Sequence, residues 1–168
     1  MPLERHGSDE QPYYLFVPDR DYNWEGIPVH IGDSGFRTPP FDTEKPANTV
    51  RILNVGDSVA FGWEVKQEET YGAVLAAALN EASNGRTYEV INAGVPGWNL
   101  RMERDFLLQE GFGYDPDIIV LDLTLVNDVY GAGPAVSENP GLFDWLRDHT
   151  YAWPFLTTQM RFLLARQQ

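Results

Sequence analysis

From residue 50 onward the chain alternates short apolar runs with longer amphipathic stretches. Val50-Arg-Ile-Leu-Asn-Val55 is an apolar run closed by Gly56, the pattern of a buried strand. Residues Glu69–Ala82 are rich in Ala and Leu, with Thr70 placed to cap, and predict a helix that stops before Asn84-Gly85. Tyr88-Glu-Val-Ile-Asn92 reads as a second strand. Asn99–Glu110, apolar at 100, 102, 106 and 107 and followed by Gly111, reads as a second helix. Asp115-Pro-Asp117 then leads into a third strand, Ile118–Val126. Strand, helix, strand, helix, strand predicts parallel strands joined by right-handed crossovers. The third run is apolar on both of its faces, as in a strand covered by helices on both sides. Residues 129–168 add Gly131-Ala-Gly-Pro134 and Asn139-Pro-Gly141 loops, then helical patterns over 142–147 and 154–166, but no further strand.

Before residue 50 no period is sustained. Gln11-Pro-Tyr-Tyr-Leu-Phe-Val-Pro18, Ile27-Pro-Val-His-Ile31 and Thr38-Pro-Pro-Phe41 mix Pro and aromatics, with short strands predicted at 13–17 and 27–31. Tyr13, Tyr14, Phe16, Tyr22, Trp24 and Phe36 are too many aromatics for a free tail, so this arm is expected to pack on the body. The division is an irregular or β arm, 1–49, and an α/β domain, 50–168.

Composition narrows the partners. Twelve Lys and Arg stand against 25 Asp and Glu, a formal net charge of −13. Nucleic acids and anionic membranes are polyanions and would be repelled. Lys45 and Lys66 are the only lysines, so the sequence offers no basic patch. The chain has no Cys, which excludes disulfides, thiolate metal sites and a Cys nucleophile. The start, Met1–Glu10, has no apolar leader core, and Ile118–Val126 is far short of the ~20 residues a membrane helix needs. These features leave the compartment open, with cytoplasmic as the default.

Three predicted strand ends carry the chemistry. The first runs into Gly56-Asp57-Ser58, which puts Ser58 where α/β sheets place their ligands. The same tripeptide is also an ordinary strand-to-helix turn, and Gly32-Asp33-Ser34 repeats it with no helix behind it. The second strand ends in Asn92-Ala-Gly-Val-Pro-Gly97, a Gly-rich turn able to aim backbone N–H groups into a cleft. The third ends in Leu125-Val-Asn-Asp128, with the Asn127 amide at the corresponding level. Each of these also reads alone as a turn or cap residue. Together they converge on one edge.

Asn54-Val-Gly-Asp-Ser-Val-Ala-Phe-Gly62, Asn92–Gly97 and Val126-Asn-Asp128 resemble the first three sequence blocks of the SGNH (GDSL-type) hydrolases. Ser34-Gly-Phe-Arg37 and Lys45-Pro46 are similar to an arm found in one bacterial branch of that family, so the resemblance spans roughly residues 34–128. It implies a flavodoxin-like three-layer α/β/α fold with strand order 2-1-3-4-5, of which this chain supplies 2-1-3 and lacks strands 4 and 5. It also implies ester hydrolysis or acyl transfer without metal or nucleotide cofactor. Ser58 would be the nucleophile; its N–H, the Gly97 N–H and the Asn127 side chain would form the oxyanion hole. Asp57 would orient the turn. The implied substrate is a small ester or an acylated carbohydrate.

The family's general base comes from an Asp-x-x-His block near the C-terminus, and these 168 residues contain none. His6 and His30 read as solvated or packed residues. His149, directly after Asp148, reads as a helix-end residue or a substitute base, although adjacent Asp and His cannot easily orient one ring toward Ser58. Missing strands and missing base together predict a domain that continues past residue 168, with little turnover in this chain; the alternatives are a shortened protein that completes its sheet with a partner, or a catalytically silent relative. The segment 154–166, apolar at 155, 156, 160, 163 and 164, reads as a core-facing helix; a homodimer through it or through the edge of the third strand is the alternative. The rival to an enzyme is a non-catalytic binding module with Phe61, Trp63 and Trp98 as stacking platforms. A nucleotide binder is disfavoured, since neither Gly-x-Gly-x-x-Gly nor a phosphate-loop Lys follows the first strand.

Overall fold

Apolar runs too short for helices build the centre of the molecule. In the computed structural model, which describes residues 1–24 and 26–124, Thr49–Gly56 (β5), Thr87–Gly94 (β6) and Ile118–Leu121 (β7) form a parallel sheet ordered β6-β5-β7. β5 lies in the middle, and Ile52–Gly56 are buried. Its register sets Gly56 beside Gly94 and Val55 beside Leu121, so all three strands point their carboxyl ends to one edge. Counted in chain order, this is the 2-1-3 arrangement of an α/β fold.

The two crossovers lie on opposite faces, as right-handed connections to opposite sides of β5 demand. One face carries Ile52, Asn54, Val90 and Asn92. It is covered by Tyr71–Ala82 (α2), whose Gly72 approaches Val90 and Asn92 and whose Tyr71 hydroxyl donates to Asn54. The other face carries Leu53, Val55, Ile91 and Ala93, buried in one cluster with Phe106 of Leu100–Gln109 (α3). Both helices begin on capped turns. Thr70 accepts from Ala73 N–H, and Asn99 accepts from Arg101 and Met102 N–H.

The arm is more regular than its composition predicts. Leu3–Gly7 (β1) pairs antiparallel with Pro12–Phe16 (β2), and Arg20–Trp24 (β3) with Ile27–Ile31 (β4). β2 and β4 coincide within a residue with the predicted strands, whereas β1 and β3 are polar and mostly exposed and give no periodic signal. Tyr13, Leu15, Phe16, Val29, Ile31 and Phe36 of the arm are buried in the same cluster as Leu53, Phe61, Trp98 and Phe106. Directional bonds fix the join: Trp98 Nε1–H donates to the Tyr14 carbonyl at 2.8 Å, and Thr38 Oγ1–H to the Val90 carbonyl at 3.2 Å.

Arg51, fully buried on β5, ties the far end of the sheet. It donates to Glu89 at 2.6 Å and to the carbonyls of Asp42, Thr43 and Tyr114. Beside it, Arg51 N–H and Lys45 donate to Asp117, which holds that carboxyl below its ordinary range.

β7 differs from its prediction in length and cover. It closes at Leu121, and Ile118, Ile119 and Leu121 are 47%, 37% and 39% exposed. The expected cover on both faces is therefore not found among the described residues, and β7 is the edge strand of the three. The predicted helices at 142–147 and 154–166, with the dimer surface assigned to the latter, lie outside the described residues. No helix among the described residues is long and apolar enough to cross a membrane.

Candidate active site

The last residues of β5 leave no room for side chains. A methyl group at Gly56 would lie 2.8 Å from Ala60 Cβ and 2.9 Å from Asp122 Cβ, and one at Gly94 would lie 2.3 Å from Phe61 N. These contacts let the short helix Ser58–Phe61 (α1) sit directly on the ends of β5 and β6. Asp57 caps it, accepting from Val59 N–H at 2.9 Å and from Thr124 Oγ1–H at 3.2 Å. Asp57 is 2% exposed, so it orients the turn from inside. At the other end Gly62 adopts a left-handed φ of 79°, a conformation most side chains resist.

Ser58 therefore stands at the first position of α1, half-buried at the carboxyl edge of the sheet. Its carbonyl accepts from Gly62 and Trp63 N–H, which closes the turn tightly behind it. The second turn is fastened to the first by a bond from Val95 N–H to the Gly56 carbonyl, 3.0 Å. Pro96-Gly97 then rises at the same edge, with Gly97 exposed at φ 87° and open space on its Cα. Ser58 and Gly97 are thus brought to adjacent strand ends. Asn127 lies outside the described residues, as does His149.

The other histidines are engaged elsewhere. His6 faces Glu110 at 3.4 Å and stacks on Tyr13; Glu110 caps the end of α3, at the opposite edge of the sheet from Ser58. His30 Nδ1 lies 2.8 Å from Asp21 on the exposed side of the β3–β4 hairpin. The repeated tripeptide at Gly32-Asp33-Ser34 is a turn in which Gly35 N–H donates to the Gly32 carbonyl.

An acidic side of the site went unread in the sequence. Asp122, the one charged residue in the run Ile118–Val126, donates its N–H to the Val55 carbonyl at 2.8 Å and packs over Gly56. Burial, reinforced by the charge of Asp57, holds its carboxyl above the ordinary range. Tyr71 faces the same pair: burial and the charges of Asp122 and Asp57 push its hydroxyl up to about 12, against the opposing bond to Asn54. Tyr71 is therefore a neutral phenol at physiological pH. A charged residue closing an apolar strand at the ligand-bearing edge was the available signal for Asp122. Tyr71, at the first turn of a helix, gave none.

Of the three aromatics proposed as stacking platforms, Phe61 and Trp98 are each 1% exposed and belong to the core. Trp63 alone is partly accessible, and it packs on Trp24 of the arm with ring centroids 4.3 Å apart. Among the described residues no group of three or more His, Asp and Glu is placed to hold a metal ion. No protein-family model matches the chain, and no curated protein matches it. The grounds for a function are the residues themselves.

Proposed function

We propose that the chain carries the nucleophile side of a serine acyl-transfer site, with Ser58 as the residue that is acylated. The observation that carries this reading is the 3.0 Å bond joining the Gly56 and Val95 turns, which brings the Ser58 turn and the Gly97 turn to one edge. Acyl transfer requires N–H donors preset where a carbonyl oxygen becomes negative, and one such donor is worth on the order of 10²–10³ in rate. The N–H groups of Ser58 and Gly97 fill that role, with the Asn127 amide as the third donor that the resemblance to SGNH hydrolases implies.

In the reaction Ser58 Oγ attacks the ester carbonyl carbon and gives its proton to a base. The carbonyl electron pair moves onto oxygen, facing the donors. On collapse the C–O bond breaks, the departing alkoxide takes the proton from the base and leaves as the alcohol, and the remaining acyl-serine is cleaved by water or a second alcohol. Asp57 holds the turn by capping α1. Asp57 and Asp122 make the edge electronegative, which favours an uncharged ester or acylated carbohydrate over an anionic one. With no Asp-x-x-His in the sequence, proton removal is the slow step and turnover by this chain is low.

The test is intact-mass analysis after exposure to p-nitrophenyl acetate and to an alkyl phosphonofluoridate, beside Ser58→Ala. We expect one adduct, mapped to Ser58 and absent from the variant, with slow steady-state hydrolysis. Equal modification of both chains would overturn the reading. The Trp24–Trp63 pair favours a second reading, a cleft that binds a sugar ring by stacking without chemistry. Binding unchanged by Ser58→Ala, with no adduct on the wild type, would establish it instead.

A further inference from the structure

The N-terminal arm reaches α1 through a side chain that the acyl-transfer reading does not use. Arg37 is 1% exposed, yet among the described residues no carboxylate lies within ion-pair distance of it. Its guanidinium donates to main-chain carbonyls: Gly62 at 2.6 Å, Val65 at 2.6 Å and Phe61 at 3.4 Å, with Nε–H to Gln67 Oε1 at 3.1 Å. It also lies over the Phe61 ring, 5.1 Å from the centroid. Burial disfavours its charge, and Glu68 offsets this only in part from beyond ion-pair distance, so neutral acceptors are its direct partners. The carbonyls it holds belong to the last turn of α1 and to the loop that follows, and the Gly62 carbonyl also accepts from Val65 N–H at 3.3 Å.

We infer that Arg37 is a positioning residue for Ser58, clamping the C-terminal end of α1 so that the serine's backbone and hydroxyl keep one orientation. This rests on the acyl-transfer reading of Ser58. The linkage is short. Arg37 holds the carbonyls of Phe61 and Gly62; the N–H groups of Gly62 and Trp63 hold the Ser58 carbonyl, the latter at 3.1 Å. α1 spans only four residues, so it has no length over which to absorb a loosened end. Two further arm contacts press on α1 and on the loop behind it: Phe16 on Phe61, centroids 5.2 Å apart, and Trp24 on Trp63. The arm is thus part of the site's support. Lysine cannot replace Arg37, because one ammonium cannot span acceptors spread from Phe61 to Gln67 as a planar fork does.

The experiment compares wild type, Arg37→Lys and Gln67→Leu, with Arg5→Lys as a surface control. It measures the rate of Ser58 phosphonylation by an alkyl phosphonofluoridate. In that step Ser58 Oγ bonds to phosphorus, fluoride leaves with the P–F electron pair, and the hydroxyl proton passes to solvent. Amide hydrogen exchange of the full chain is followed in parallel. We expect Arg37→Lys to slow labelling at least ten-fold, since a displacement of about 1 Å at a reacting atom is worth up to ~10²-fold. Exchange should rise in peptides covering 57–66 while β5 and β6 stay protected. Gln67→Leu, which removes one outer acceptor and keeps the core, should slow labelling a few-fold and stands in if Arg37→Lys does not fold. Wild-type labelling and wild-type exchange over 57–66 in both variants would overturn the inference, as would protection lost evenly along the chain. A wild type that is never labelled at Ser58 overturns the acyl-transfer reading, and with it the role of Arg37 in chemistry; the exchange data then judge the clamp alone.

Discussion

Replacing Gly94 by alanine tests how closely α1, the helix that begins at Ser58, is seated on the sheet. The new methyl group would lie 2.3 Å from Phe61 N, 2.6 Å from the Ala60 carbonyl carbon and 2.7 Å from Ala60 Cβ. Ordinary carbon contacts begin near 3.4 Å, so α1 must retreat by about 1 Å. Two of the three neighbours are backbone atoms, which cannot rotate away. Overpacking of this kind costs ~1–3 kcal/mol, and the backbone contacts put this site at the upper end. Alanine returns ~0.4–1 kcal/mol by restricting the unfolded chain. The net is a loss of about 2 kcal/mol, read as a lower urea midpoint with an unchanged slope. Ser58 rides on the displaced helix, so phosphonylation should slow by about ten-fold or more even where the protein is fully folded. Gly113→Ala is the control: its Cα faces open space, and stability should hold or rise slightly. Wild-type stability and labelling in Gly94→Ala would refute the account of α1 resting on the β5 and β6 ends.

Two further predictions concern buried charge. Arg51→Met should cost about 3–5 kcal/mol in urea unfolding, because it strands Glu89 and three carbonyls around a fully buried site; a loss below about 1 kcal/mol would show that water replaces the guanidinium there. Asp122 has a carboxyl pKa raised in the folded state, chiefly by burial and then by Asp57. The folded chain therefore binds more protons than the unfolded chain just above pH 3.8, and this group's contribution to stability falls as pH rises through that window. Asp122→Asn should flatten that part of the pH profile and raise the melting temperature at pH 7. A lower melting temperature at pH 7 would mean that the carboxylate is held by favourable contacts.

The order of elements from 50 to 121 was legible because each is a local pattern. A short apolar run closed by Gly56, the Ala-rich stretch behind Thr70 and the periodic stretch behind Asn99 carry their own period and caps. Ser58 and Gly97 were legible for a related reason: parallel connectivity alone sends successive strand ends to one edge. The rest needed partners distant in sequence. β1 and β3 have no apolar alternation and are strands because β2 and β4 lie beside them.

Arg37 and Arg51 look in sequence like any surface arginine. Their burial depends on carbonyls that only the folded loops bring together, 24–28 residues away for the carbonyls Arg37 reaches and up to 63 residues away for those of Arg51. Phe61 and Trp98 read in sequence as stacking platforms, yet the arm closes over them and makes them core. Asp122 gained its meaning only when register set it over Gly56, within the field of Asp57. The sequence alone determined the elements, their parallel order and the residues at the sheet edge, since these follow from periodicity and chain direction. The tertiary structure decided which charges are buried, what braces α1 and how the arm joins the core, since those depend on the desolvation and pairing of groups that meet only after folding.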